Sequence, residues 1–441
     1  MKGKYHLLTG LVLIIAITVS FLVPVGGMDV KAAAQVVPLD GVRLQDNSIE
    51  GNEHDYFYQE DGTLHLIVVA GRMLKDYSLD DSYHVSGMLT VNLPAYDTWI
   101  GYHHKKNGQN FIAVGYTAGS KKAQKALSIV RYSKNWKKEK TASLKRNTSQ
   151  ILKGISGIYG GGNFAESGND LYLYAVGRGF SQKEDSKIIK EAQKKNPMAL
   201  AVDHSRNIGF EIDTKRMKIQ EATLSYSSPC SDTYAVYDKK MLFLADRDIT
   251  NGLNITSCEK GDLDINKAHT MMPFKFKGDY SDIYYKCKMT GVESSKNNII
   301  MSGHSVPFGY TNAGMTGYDY KKVCENLFIV LKSKSGNKSK VKWLTSYKQN
   351  GVSESRIIKI NDQKYAVIYC GGANFTSKTT HIVYIDGQGK RIGNDEEIFP
   401  GIYIFDYEPN PIIYRGNIIF ARDDVTESSG VVTNLYSIPV K

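Results

Sequence analysis

Three observations predict an all-β fold built from about seven small, similar sheets. Seven short apolar runs share one pattern: four or five apolar residues, then a small residue, then a polar one. Each run follows a tight turn, and the turns recur about every 59 residues between Gly62 and Gly416. The chain of 441 residues carries 29 Tyr against 15 Phe and 3 Trp, and aromatic and β-branched enrichment favours strands. Four-stranded units repeated in this way point to a β-propeller, in which radial packing covers both faces of each sheet. Seven blades of about four antiparallel strands is the expected architecture, with six or eight as the neighbouring counts. A multi-sheet sandwich or two β domains in tandem is the competing arrangement, but no Pro- or Ser-rich linker divides the chain.

Residues 1–34 stand apart and read as an export signal. Lys2 and Lys4 supply a positive start, Leu11–Leu22 is a short apolar core, and Pro24, Gly26 and Gly27 interrupt it before Ala32-Ala33-Ala34. A retained membrane anchor is the alternative. The apolar run is shorter than the ~20 residues a spanning helix needs, so cleavage before Gln35 is expected. One propeller domain then occupies residues 35–441. Export places the protein outside the cell, secreted or held at the surface, and a membrane contact would come only through an uncleaved signal.

The seven runs are Leu66–Arg72, Phe111–Thr117, Leu173–Gly179, Leu242–Asp248, Ile299–Ser305, Ala366–Gly372 and Ile418–Asp424. Continuous apolar runs bounded by turn residues suit strands buried on both faces. Turns such as Asp61-Gly62, Asn107-Gly108 and Arg415-Gly416-Asn417 precede them. Glycine accepts the positive φ that such hairpins demand. A third strand is expected at Met88–Val91, Leu127–Tyr132, Gly209–Ile212, Thr270–Phe276, Leu327–Leu331, Ile382–Ile385 and Leu435–Ile438. The last unit ends after its third strand, while Val36–Leu44 precedes the first unit. The N-terminal segment is therefore expected to supply the missing outer strand and remove an exposed edge.

Composition narrows the function classes. A hydrophobic fraction of 41% with 23% charged residues excludes a disordered tail, a collagen-like fibre and a multi-span membrane protein. The formal charge is +11 and is spread along the chain. Outside a bacterium it favours anionic wall polymers or phospholipid surfaces, or simply a mixed solvated surface. Five cysteines, Cys230, Cys258, Cys287, Cys324 and Cys370, leave at least one thiol free, and a bridge between Cys230 and Cys258 is left open. No Cys-x-x-Cys spacing marks a zinc site, so no metal and no cofactor is expected.

If the seven runs are equivalent strands, the polar residues at their ends gather on one face around the central channel. That set is Arg72, Tyr116, Arg178, Asp246, Arg247, Asp248, His304, Arg422 and Asp423. Long connections are expected to leave the same face at Met73–Tyr83, Ala118–Lys125, Phe180–Pro197, Ile249–Lys267, Ser305–Val323, Ala373–Thr380 and Val425–Val432. Phe180–Pro197 is expected to hold a short exposed helix. Variable loops on one end of a rigid scaffold are where binding resides. Two readings of the charged ends stand side by side: a ligand site, or Arg–Asp pairs that cap the channel.

Catalytic readings are weaker. Gly303-His304-Ser305-Val306-Pro307 departs from a nucleophile elbow at Pro307 and leads from a strand into a loop. His103-His104 point to opposite faces of a strand and are expected in solvent. Asp246 with Asp248, or Asp423 with Asp424, has the composition of a carboxylate pair for glycoside cleavage, but an adjacent Arg would hold both ionised.

The stretches Ile129–Lys137, Val341–Tyr347 with Val352-Ser353 and Ile357–Ile360, and Tyr384–Gly389 resemble secreted, propeller-like surface proteins of Gram-positive anaerobes. The likeness covers patches between Leu127 and Gly389. It implies export, a bacterial surface location and no catalytic residue to carry over. A His-Gly-Asp followed by Tyr-Pro-Arg, expected in that family near Asp246, is replaced here by Asp246-Arg247-Asp248. The WD signature, kelch double glycines and sialidase Asp boxes are absent. Together these features lead to an exported, non-enzymatic binding or structural protein of the bacterial cell surface, with a cell-wall polymer, glycan or surface protein as partner and no nucleic-acid partner. The alternative is a secreted polysaccharide hydrolase or lyase with an Asp/Arg cluster at the channel mouth.

Overall fold

In the computed structural model the described residues are 34–42, 44, 55–116, 125–145, 155–158, 162–179, 205–225, 233–248, 252–260, 269–275, 287–305, 325–348, 351–372, 379–399, 409–426 and 430–441. They form seven antiparallel sheets in succession, the seven blades of a β-propeller. β1 (Gln35–Pro38) comes first and belongs to the last blade. Blade 1 is β2–β5 (Tyr56–Glu60, Thr63–Ala70, Met73–Leu79, Val85–Asn92), and blade 2 is β6–β9 (Thr98–His104, Asn110–Gly115, Lys125–Tyr132, Lys138–Lys145). Blade 3 is β10–β14 (Ile155–Ile158, Asn163–Ser167, Asp170–Gly179, Ser205–Asp213, Lys218–Ser225). Its first position is shared by two segments, because β10 and β11 both pair with β12.

Blade 4 is β15–β18 (Thr233–Asp238, Met241–Asp248, Gly252–Glu259, His269–Lys275). Blade 5 is β19–β22 (Cys287–Ser294, Asn298–Ser305, Asn326–Ser333, Ser339–Trp343). Blade 6 is β23–β26 (Gly351–Asn361, Lys364–Gly372, Thr379–Ile385, Arg391–Phe399), and blade 7 is β27–β29 (Ile412–Tyr414, Asn417–Thr426, Gly430–Pro439) completed by β1.

All seven apolar runs fall on the second strand of a blade. These strands are buried on both faces because alternate side chains enter two different blade boundaries. In β3, Leu64, Leu66 and Val68 join the apolar cluster against blade 7, while Ile67 and Val69 join the one against blade 2. The core is accordingly divided into seven clusters, one at each boundary. Residues at five of the seven expected third strands occupy that position. Met88–Val91 and Thr270–Phe276 instead belong to fourth strands, since β4 and β17 precede them.

Turn chemistry follows the sequence closely. Asp61-Gly62 and Arg415-Gly416 both have positive φ at each central residue, the geometry that matches strand twist in a two-residue hairpin. A second device recurs between third and fourth strands. Tyr83, Trp136 and Met217 occupy the left-handed region, with φ of 68°, 56° and 55°, and each buries its side chain at a blade boundary. Gly389 takes the same place in blade 6, where a Cβ would lie 2.5 Å from Ile329. Left-handed backbone is unfavourable for bulky residues, so burial of the side chain is what holds these turns.

Polar pairs join the blades as well. Among the described residues every boundary carries an ion pair: His104–Glu60 at 2.7 Å, His103–Glu166 at 3.1 Å, Lys260–Asp170 at 2.8 Å, Lys334–Asp238 at 2.7 Å, Lys288–Glu354 at 2.9 Å, Lys441–Glu396, and Arg415–Asp81 at 2.6 Å. Burial pushes the Glu166 carboxyl up, but the neighbouring His103 and Lys105 outweigh it and hold the group below its usual range. His103 and His104 do lie on opposite faces of β6, yet they are not in open solvent. Each reaches a carboxylate on a different neighbouring blade.

The ring closes as the sequence predicts. β1 pairs with β29 from Gln35↔Ser437 to Pro38↔Asn434, and the following Leu39, Val42 and Leu44 enter the cluster between blades 7 and 1. The side chains of Cys258, Cys287 and Cys370 are buried, and the Cys230–Cys258 bridge left open by the sequence involves a residue outside the described ones. Cys230, Cys324 and residues 1–33 of the export signal expected at 1–34 lie outside the described residues. Closure is testable on two neighbouring side chains. Leu39, 2% exposed, should cost about 2–5 kcal/mol on replacement by Ala. Val36→Ala, at 45% exposure on the same segment, should stay within about 0.5 kcal/mol in urea unfolding.

Candidate binding face

In every blade the second strand runs towards the same face of the ring, so its C-terminal end and the connection to the third strand lie there. Three of the connections expected to be long are short. Blade 1 turns through Gly71-Arg72 straight into β4, blade 4 uses residues 249–251, and blade 7 uses residues 427–429. The connections at 116–124, 180–204, 306–325 and 373–378 are longer, and they leave the second strands of blades 2, 3, 5 and 6. The expected helix in Phe180–Pro197 lies outside the described residues.

The predicted rim residues share a face but have different environments. Arg72 is exposed in the blade 1 turn, where its carbonyl accepts from Leu93 N–H at 2.9 Å. The Tyr116 amide donates to Ala126 at 3.1 Å, and its ring packs against the cluster between blades 1 and 2. Arg178 and Asp248 are at strand ends, paired with Ser205 and Gly252 in register; their side chains lie outside the described set.

Asp246 is enclosed rather than exposed. It is fully buried between blades 3 and 4, where Tyr174 donates to Oδ2 and Asn254 donates to Oδ1 at 3.2 Å. Among the described residues this boundary holds Leu242, Leu244 and Cys258 with the small Ala165 and Ala235, and Tyr172 stacks on Tyr237 at 5.9 Å. The hydrogen-bonded carboxylate is buried beside them. Asp423 accepts from the amide of Leu44 at 3.1 Å and from Thr433, which ties the N-terminal segment to blade 7. Arg422 pairs with Asp424 at 2.6 Å, and Asp424 also accepts from Asn434 and Tyr436.

The structure does bring one part of the rim together, over blades 4 to 6. Arg247 Nη1 donates to the Cys287 carbonyl at 2.5 Å, and the next residue, Lys288, pairs with Glu354. Arg356 lies 3.6 Å from the other oxygen of Glu354. His304 stands opposite Lys288 in register and is held by Glu325 at 2.5 Å, while the Glu325 carbonyl accepts from Val352 N–H at 2.8 Å. The group thus joins three cations, one imidazole and two carboxylates on adjoining strands. Lys288, Glu325, Glu354 and Arg356 were missed from sequence. Three of these lie on innermost strands, in the mixed segments CKMT and SESR, which lie outside the apolar runs that marked the repeat. No group of three or more metal-ligating side chains is assembled among the described residues.

No family model matches the sequence, and no curated protein matches it. Among solved structures, the chain is similar to the Dos1 propeller (10% identity, TM-score 0.43), covering 78% of this chain and 69% of that one. It is also similar to the polysaccharide lyase Uly1 (11% identity, TM-score 0.46; 92% and 94% covered). A third is the uncharacterised protein lmo1340 from Listeria monocytogenes EGD-e (9% identity, TM-score 0.43; 87% and 91% covered). At these levels no activity passes from them to this chain.

The internal role of Asp246 gives a direct test. Tyr174→Phe leaves the buried carboxylate short of a donor and should lower stability by about 1–3 kcal/mol in urea unfolding. Arg72→Ala, on the exposed turn, should change it by less than about 0.5 kcal/mol.

Proposed function

We propose that this protein is exported by a Gram-positive bacterium and acts at the cell surface as a non-enzymatic binding protein. Its loop-bearing face would receive a wall polymer, a glycan or a surface protein. The observation that supports this reading is the arrangement of that face. Long connections leave a rim whose charged side chains are fixed by neighbours in adjoining blades, a rigid base beneath variable segments. The basic composition of the chain and the export signal agree with an anionic surface partner.

Hydrolase or lyase chemistry at the same mouth needs a carboxyl free to exchange a proton with substrate. Asp246 is enclosed by Tyr174 and Asn254, and Asp423 is engaged by Leu44 and Thr433, so neither serves that reading. An array of glycans, wall polymers and surface proteins probed with the secreted form tests the proposal. Binding is expected, with at least a tenfold loss when residues 181–203 are replaced by a short Gly-Ser linker. Silence on the array together with polysaccharide cleavage that Asp246→Asn abolishes would overturn it.

A further inference from the structure

A second surface lies along the outer edge of blade 1. Among the described residues the fourth strand of each blade is paired on one side only, and such edges ordinarily carry charge or proline that discourages pairing with another chain. Six of the seven follow that rule. β9 holds Lys138, Glu139, Lys140 and Lys145; β14 holds Lys218 and Glu221; β18 holds Pro273 and Lys275; β22 holds Lys340 and Lys342; β26 holds Arg391, Asp395, Glu396 and Glu397; β1 ends in Pro38. β5, Val85-Ser86-Gly87-Met88-Leu89-Thr90-Val91-Asn92, has neither. It displays Met88 at 57% and Leu89 at 44% exposure, which with Val36 are the most exposed large apolar side chains on the fourth strands among the described residues.

Beside this strand lies a cleft of about 520 Å³, between β5 and the turn that follows β8. Leu89, Leu93, Pro94, Tyr132 and Trp136 contribute to its walls. Trp136 is fixed there by its left-handed backbone and by donation from Nε1 to Asp76 at 2.7 Å. The far side is basic. Lys137 and Lys138 are exposed with no ion pair among the described residues, and the carboxylate that follows them, Glu139, is bound to Arg131 at 2.7 Å.

We propose that β5 is an interaction edge that takes an extended acidic polypeptide segment as a fifth strand. The main chain of the segment would pair along the eight residues of β5, about 26 Å at ~3.3 Å per residue. An apolar side chain enters the cleft beside Trp136, and acidic side chains face Lys137 and Lys138. A second copy of this chain fits less well, because pairing two β5 edges brings two sets of unpaired lysines towards one another. This surface is independent of the loop-bearing face.

A random octapeptide display library selected on the mature protein tests the proposal. Enriched peptides should alternate acidic and apolar residues and weaken as salt rises. Affinity should fall at least tenfold in Met88→Ser/Leu89→Ser, at least fivefold in Lys137→Gln/Lys138→Gln, and be unchanged in Val36→Ser. N-methylation of alternate peptide amides on the pairing side should abolish binding. No enrichment, enrichment without charge preference, or equal binding to Met88→Ser/Leu89→Ser would overturn it. So would a concentration-dependent dimer in sedimentation that Met88→Ser/Leu89→Ser abolishes, which would assign the edge to a second copy.

Discussion

Closure of the ring is the constraint on which the rest of the molecule depends. Each blade buries its two faces against two neighbours, so no blade has a complete core of its own. The apolar clusters lie between sheets rather than within them. A linear array of such sheets would leave one wet apolar face at either end. β1 on β29 removes both ends at once, and Leu39, Val42 and Leu44 fill the last boundary. Asp423 reinforces the joint by accepting from the Leu44 amide nearly the whole chain length away. This contact is long in sequence, and its entropic cost is offset only when blades 1 and 7 are both in place.

The same geometry accounts for the polar residues at strand ends. Apolar packing is non-directional and fixes little about how far one blade rotates against the next. Ion pairs and buried carboxylates add direction: His104 to Glu60, Lys334 to Asp238, Tyr174 to Asp246. Pairs of this kind contribute little stability when exposed, and their value here is orientation of adjoining sheets. A face whose rim is set in this way presents its long connections from fixed positions. The unguarded edge of blade 1 is a separate feature of the outer circumference, and nothing in ring closure requires it.

The fold was legible because burial on both faces writes a continuous apolar run that composition and turn residues then frame. Leu66–Arg72 and Ile299–Ser305 could be aligned without any partner in view. The signal weakened where buried positions are polar. β4, Met73-Leu74-Lys75-Asp76-Tyr77-Ser78-Leu79, reads as a loop because Asp76 serves a buried network with Tyr58, His65 and Trp136. β17 was missed for the same reason, with Asn254 turned to Asp246 and Thr256 to Thr270. These polar strands led to two of the long loops that do not exist and displaced two third strands by one place. For the rim, sequence gave position but not environment. Asp246 sits at a strand end as expected, but its partner Tyr174 is 72 residues away and on another blade. A repeat locates equivalent backbone positions; it does not say which side chains the neighbouring blade will claim.

Amide hydrogen exchange of the native protein measures closure most directly. If the ring is one cooperative unit, the hydrogen-bonded amides that join β1 to β29 exchange with the same opening free energy as those inside β3 and β20, near the global value. Exchange of the β1–β29 amides through a low-energy local opening, while the other blades stay protected, would contradict the account.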